Sequence, residues 1–219
     1  MKIRTPDQLD EELEKELEWR QAELRAISSL IREIFEKPSR IDTQRRAMIH
    51  SGIVLLYAHW EGFVKNAATL YLNFVATEGK DCRDLTINFR VIQLKDTLEN
   101  TSGMSKSLCN LLQSLDKVSD NKFSKYENAI NTGSNLSFER FKEITCILNI
   151  DYSLYESSAM ILNERLLKSR NTIAHGQHQW LTSDLEDYRE LDETIRNFME
   201  TFRNQLSNLA ITKSYLINP

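Results

Sequence analysis

The sequence predicts an all-α protein, an antiparallel helical bundle, and three observations carry that prediction. Across 219 residues there are only 6 Gly and 3 Pro, so little interrupts a helix. Apolar residues recur at steps of three and four along every long stretch, which gathers them on one helical face. No stretch alternates apolar and polar residues convincingly enough for a strand. A chain of this length can bury a real core, and residues 1–219 read as a single domain.

The first helix opens at Thr5-Pro6-Asp7-Gln8. Thr5 is the expected N-cap, Pro6 sits where a missing N–H costs nothing, and Gln8 closes a capping box. Leu9, Leu13, Leu17, Leu24, Ile27, Ile31 and Ile34 then follow at helical spacing until Pro38 ends the run. The first turns are acidic (Asp10, Glu11, Glu12, Glu14, Glu16, Glu18), which suits the helix dipole and reads as a solvated face. A second helix is expected over about residues 43–77, where Ile53, Tyr57, Trp60, Val64, Ala67, Tyr71 and Phe74 make a packing seam. Residues 78–84 are a polar break.

Helices follow over 87–98 and 107–118, separated by Thr101-Ser102-Gly103. Leu108, Leu111, Leu112 and Leu115 share one face of the second. Residues 119–135 are rich in Ser, Asn and Lys and end in the loop signal Asn131-Thr132-Gly133-Ser134-Asn135. Another helix spans 138–148. Ser153-Leu154-Tyr155-Glu156 reads as the capping box of a long amphipathic helix, and Ser183-Asp184-Leu185-Glu186 as that of the last. The last helix lines up Leu185, Tyr188, Leu191, Ile195, Phe198, Phe202, Leu206 and Leu209. Core helices are thus placed at about 5–77 and 137–212, with residues 78–136 as a helical insertion. That insertion carries no recognisable chemistry, though Lys117, Lys122 and Lys125 could supply basic surface.

The formal charge of −4 gives no overall field that attracts nucleic acid, so any RNA contact must come from a local basic cleft. Cys82, Cys109 and Cys146 are odd in number and far apart, with no C-x-x-C pair. They fit reduced cysteines that only pack, in a cytoplasmic protein. The opening residues lack an apolar signal core, and the longest apolar run, 53–58, is far too short to span a bilayer, so no membrane partner is expected.

Chemistry concentrates in Arg170-Asn171-Thr172-Ile173-Ala174-His175-Gly176. An arginine offers phosphate a planar fork of donors, and a histidine exchanges a proton near neutral pH. If Gly176 ends the helix, His175 stands at its C-terminus, where the macrodipole favours a cation. Asn171 and His175, four apart, share a face, with Arg170 at its edge. A structural alternative exists for each group. Arg170 can pair with Glu164, His175 can satisfy terminal carbonyls, and Glu61 can pair with Lys65 on a helix surface.

Arg-x4-His with Asn171 after the arginine and Gly176 closing the helix resembles the signature of HEPN domains. Tyr57-Ala58-His59-Trp60-Glu61-Gly62-Phe63 also resembles the stand-alone, MAE-type bacterial HEPN-like nucleases of toxin and defence systems. The resemblance implies a HEPN-like bundle and a metal-independent endoribonuclease, with Arg170, Asn171 and His175 catalytic and Glu61, from a neighbouring helix, as the third polar group beside the Arg-x4-His pair. It also implies a homodimer in which two copies of the motif share one cleft, RNA as substrate, and a cognate antitoxin or defence-system partner. Where some HEPN toxins carry a modifiable tyrosine two residues after the histidine, this sequence has Gln177. Control by nucleotidyl transfer to that position is therefore not expected.

No cofactor or metal is expected, because carboxylates do not cluster with His or Cys at ligand spacing and His175-x-x-His178 stands alone. Two other functions remain open at this stage. One is a catalytically inactive HEPN-like adaptor that binds protein or nucleic acid. The other is a nucleotide-binding regulator, disfavoured by the lack of a glycine-rich phosphate loop.

Overall fold

In the computed structural model, which describes residues 2–36, 42–99, 105–124, 126–177 and 184–218, the chain is an all-α bundle. The described helices are α1 (Pro6–Glu36), α2 (Asp42–Thr77), α3 (Ile87–Glu99), α4 (Ser105–Ser119), α5 (Phe138–Leu148), the single turn α6 (Ser153–Glu156), α7 (Lys168–Ala174) and α8 (Leu185–Ile211). A 3-10 turn, Cys82–Asp84, precedes α3, and a π-helical stretch, Ile161–Leu167, runs straight into α7. Pro38, Thr101, Ser102, Gly103, Lys125, His178 and Ser183 lie outside the described residues.

The frame is three long helices whose apolar stripes face one another. All seven residues of the expected α2 seam are buried, as are Leu9, Leu13, Leu17, Leu24 and Ile31 of α1 and Tyr188 through Leu206 of the α8 stripe. Contacts between the stripes set the directions. Asp10 meets Ser207 while Ser28 meets Asp192, so α1 and α8 are antiparallel. Trp60 stacks near Phe198 and Phe63 near Phe202, so α2 and α8 run the same way. At Gly52 of α2, side chains of both α1 and α8 press on the backbone. A Cβ there would stand 2.7 Å from both Ile31 Cδ1 and Tyr188 Cε2, nearer than two carbons can pack.

The acidic start of α1 is not simply solvated. Arg203 of α8 reaches Asp10 at 2.9 Å and Glu14 at 3.0 Å, and Glu16 accepts from Arg20 and from Asn66 of α2. Spacing by four places Asp10 and Glu14 on the edge of the buried stripe, where a long arginine from the next helix can reach both.

The middle segment shares the same hydrophobic core. Phe89 of α3 packs on Tyr71 and Phe123, and Leu85 and Leu136 are buried with them. Only α4 sits loosely, against α3 and the Cys82–Asp84 turn, which leaves Leu108 and Leu112 exposed instead of facing a partner. Cys109 and Cys146 are exposed too, so packing accounts for Cys82 alone.

Local signals were mostly right in place and sometimes wrong in detail. Thr5 caps α1 by accepting from Gln8 N, but the Gln8 side chain returns to Arg4 N, one residue early. Asp151, not Ser153, organises the start of α6, accepting from both Ser153 N and Ser153 Oγ. Asp184 is the N-cap of α8 and accepts from Glu186 N. A carboxylate accepts with two oxygens, so Asp151 outcompetes Ser153 at the start of α6. The single long helix expected to lead into the motif is instead α6, a turn, the π-helical stretch and α7.

Candidate functional site

The site is built where α7 ends against α2. Lys168 N–H reaches back five residues to the Asn163 carbonyl, so the π-helical turn holds one residue more than an α-helical turn. This changes the rotational phase with which α7 continues. Side-chain bonds hold the stretch in place. Asn163 Oδ1 accepts from Phe138 N at the start of α5, and Arg165 donates to Glu190 and to the Asp187 carbonyl on α8. π-Turns of this kind occur often at functional sites.

Beyond it, Thr172 is the residue that α7 buries. Arg170 and Asn171 lie half-buried beside it, and His175 is exposed. The helix stops in a Schellman motif, with Gly176 in the left-handed region at φ 63°. Gln177 N–H bonds the Thr172 carbonyl at 3.0 Å, and Gly176 N–H bonds that of Ile173 at 3.1 Å. His175 is therefore the C-cap residue, as its place before Gly176 implied, and its ring makes no hydrogen bond or ion pair with the described residues.

Arg170 is held by neutral groups. Its Nη1 donates to Asn171 Oδ1 at 2.7 Å and to Asn135 Oδ1 at 2.8 Å, and its guanidinium carbon lies 4.8 Å from the centre of the Tyr57 ring. Among the described residues it has no carboxylate partner. Glu164, the structural alternative, binds Lys168 at 2.8 Å instead. Its Nε and Nη2 make no hydrogen bond with the described residues.

Tyr57 is the hinge of the arrangement. Its ring supports Arg170, and its hydroxyl accepts from the buried Leu136 N at 2.7 Å. Burial, and secondarily the Glu61 carboxylate beside the hydroxyl, push the phenol well above its ordinary pKa, so it stays neutral. Glu61, one turn further along α2, faces the Tyr57 hydroxyl and forms no ion pair with Arg170 or Lys65. Glu61, the expected third polar group, thus stands beside Tyr57 and not against Arg170.

Two contributors had no role in the sequence reading. Tyr57 stood in the α2 seam and in the Tyr57–Phe63 stretch without a function of its own, and Asn135 was only the end of a loop. That loop is ordered by Asn131 Oδ1 accepting from Gly133 N, which delivers Asn135 to Arg170 and Leu136 to Tyr57. No group of three or more His, Cys, Asp or Glu side chains is placed to hold a metal ion among the described residues. Nor is any helix among them long and apolar enough to cross a membrane.

An all-helical bundle that presents Arg-x4-His at a helix end beside a tyrosine-bearing long helix is a HEPN-type domain. The profile of the MAE-type, HEPN-like family matches residues 9–215, nearly the whole chain, and the protein belongs to that family. No curated protein and no solved structure matches it.

Proposed function

We propose that this protein is a metal-independent endoribonuclease of the toxin or phage-defence kind, acting as a homodimer whose two Arg170–His175 sets face one cleft. The observation that carries the reading is an arginine tied to two amides and an aromatic face, with no carboxylate neutralising it among the described residues, on the same short helix that ends in the exposed His175. The ribose 2′-oxygen attacks the adjacent phosphorus, forming the P–O2′ bond as the P–O5′ bond breaks. His175 takes the 2′-OH proton, or gives one to the departing 5′-oxygen, and a dimer supplies one histidine for each task. Arg170 stabilises the charge that builds on the phosphorane oxygens, and Asn171 aims the guanidinium. The products are a 2′,3′-cyclic phosphate and a 5′-hydroxyl.

The acidic chain must make its RNA contact locally. Arg140 lies against Gly133 of the loop that carries Asn135 but is paired with Glu143, so the local positive charge comes from Arg170. In a dimer this charge is doubled. A cognate inhibitor or defence partner would then act by covering the cleft. Incubating wild type and His175→Ala with total RNA and tRNA in excess EDTA tests the proposal. Cleavage by wild type alone, leaving cyclic phosphate ends, is the expected result. If both folded proteins are inert, the adaptor reading takes its place, with the exposed Leu108 and Leu112 of α4 as its docking face.

A further inference from the structure

A polar recess lies between α1 and α8. Its volume is about 440 Å³, within the range of small-molecule sites. Four arginines line it in two facing pairs: Arg25 and Arg32 on α1, Arg189 and Arg196 on α8. Each pair is spaced by seven residues, two helical turns, or roughly 10 Å along its helix. Because α1 and α8 are antiparallel, Arg25 stands across from Arg196 and Arg32 across from Arg189. In a protein of net charge −4, four arginines against the two carboxylates of the recess are a local reversal of sign.

Most of that positive charge is weakly committed. Arg25 donates to the neutral Gln21 side chain. Arg32 stands 4.0 Å from Glu36 and Arg189 3.3 Å from Glu186, both as exposed pairs along one helix that solvent screens and a stronger anion displaces. Only Arg196 has a firm partner, Asp192 at 2.8 Å.

The second observation is Asp192 itself. It is 3% exposed, yet it lines the recess. Its Oδ2 accepts from Arg196 and from Ser28 Oγ at 3.1 Å, while its buried Oδ1 has no partner, and neither has Arg196 Nε. A buried carboxylate oxygen without a donor is costly, and a ligand hydroxyl would satisfy it. The rim thus asks for an anion with several oxygens and the floor asks for a hydrogen-bond donor.

We propose that the α1/α8 recess binds a small phosphorylated polyol, of the sugar-phosphate or nucleotide class, with its phosphate among Arg25, Arg32 and Arg189 and a hydroxyl donating to Asp192. Arginine forks supply here the phosphate recognition that a glycine-rich loop supplies elsewhere. The site is separate from Arg170 and His175, so it survives or fails independently of the nuclease reading.

Titration calorimetry on the full chain with ribose 5-phosphate, ADP, tripolyphosphate and free ribose tests the proposal. Saturable binding of ribose 5-phosphate or ADP is expected, at least tenfold tighter than of tripolyphosphate or ribose. A preference for ADP identifies the nucleotide as the source of the phosphate, and equal affinity identifies the sugar phosphate. Arg25→Gln combined with Arg189→Gln should weaken binding tenfold or more in a protein with unchanged unfolding, and His175→Ala should leave binding intact. Four outcomes overturn the idea: no saturable binding by any probe, binding insensitive to the arginine pair, binding abolished by His175→Ala, or arginine-dependent binding of an RNA oligonucleotide but of none of the small probes.

Discussion

Replacing Arg170 and His175 one at a time by alanine should have unequal effects on folding and equal effects on catalysis. Arg170 makes two hydrogen bonds to neutral amides, each worth about 0.5–1.5 kcal/mol net. It also lies over Tyr57 in a contact worth about 0.5–1 kcal/mol at a partly exposed position. Water can reach the two freed amide oxygens, so Arg170→Ala should cost about 2 kcal/mol. For a chain of this size that lowers the melting midpoint by roughly 4–8 °C. His175 is exposed and has no described partner, so His175→Ala should stay within about 0.5 kcal/mol of wild type. Both variants should lose about a hundredfold or more in RNA cleavage when assayed well below either midpoint, because each removes a group used in the transition state. Arg170→Lys keeps the charge but not the fork, and should fall between wild type and Arg170→Ala in stability. The two measurements together are thermal denaturation and single-turnover cleavage of a defined RNA. Equal midpoints for the two alanine variants, or a larger loss at His175, would refute the arrangement of Arg170 on Asn135, Asn171 and Tyr57.

Gly176→Ala should destabilise by about 1 kcal/mol in urea unfolding. Nothing lies within 4 Å of the added methyl, so the whole effect is the left-handed φ of 63°, and a neutral result would mean the helix ends differently. Tyr57→Phe keeps the ring under Arg170 but orphans the buried Leu136 N–H, so it should cost about 1–3 kcal/mol with cleavage largely retained. A hundredfold loss of cleavage in a stable Tyr57→Phe protein would assign the hydroxyl to the chemistry instead.

Asp192 gives a pH test with a definite sign. Burial, opposed by Arg196, holds its carboxyl above the ordinary range. Stability from a raised carboxyl pKa is fully present below the unfolded value, about 4, and is lost as pH rises through the folded value. Relative to Asp192→Asn, wild type should therefore lose stability over a window that opens at about pH 4 as pH rises. A difference in unfolding free energy that stays flat over that window contradicts the assignment.

The bundle was legible in the sequence because burial on a helix leaves a period. The α2 seam and the α8 stripe are contiguous in sequence, so their spacing announces a face before the partner is known. The helix stop at Gly176 was legible for a similar reason: a left-handed residue after an apolar helix has almost one chemical solution. Charge was harder to read. Asp10 and Glu14 looked like solvent-facing acids because their partner, Arg203, is nearly two hundred residues away.

Sequence alone thus determined the all-α class, the helix order and the motif at the end of α7, since each rests on contacts between residues a few positions apart. Tertiary structure alone decided how the motif is presented. The π-helical turn that sets the phase of α7 depends on bonds from Asn163 to α5 and from Arg165 to α8. Asn135 and Tyr57, which hold Arg170, come 35 and 113 residues from it by chain position, brought there by a loop and by a packed helix face. The arginine recess shows the same division. Each i, i+7 pair is visible on its own helix, but only antiparallel packing of α1 on α8 sets the pairs face to face above a buried carboxylate. Local periodicity records which face is buried, and carries no record of what that face meets.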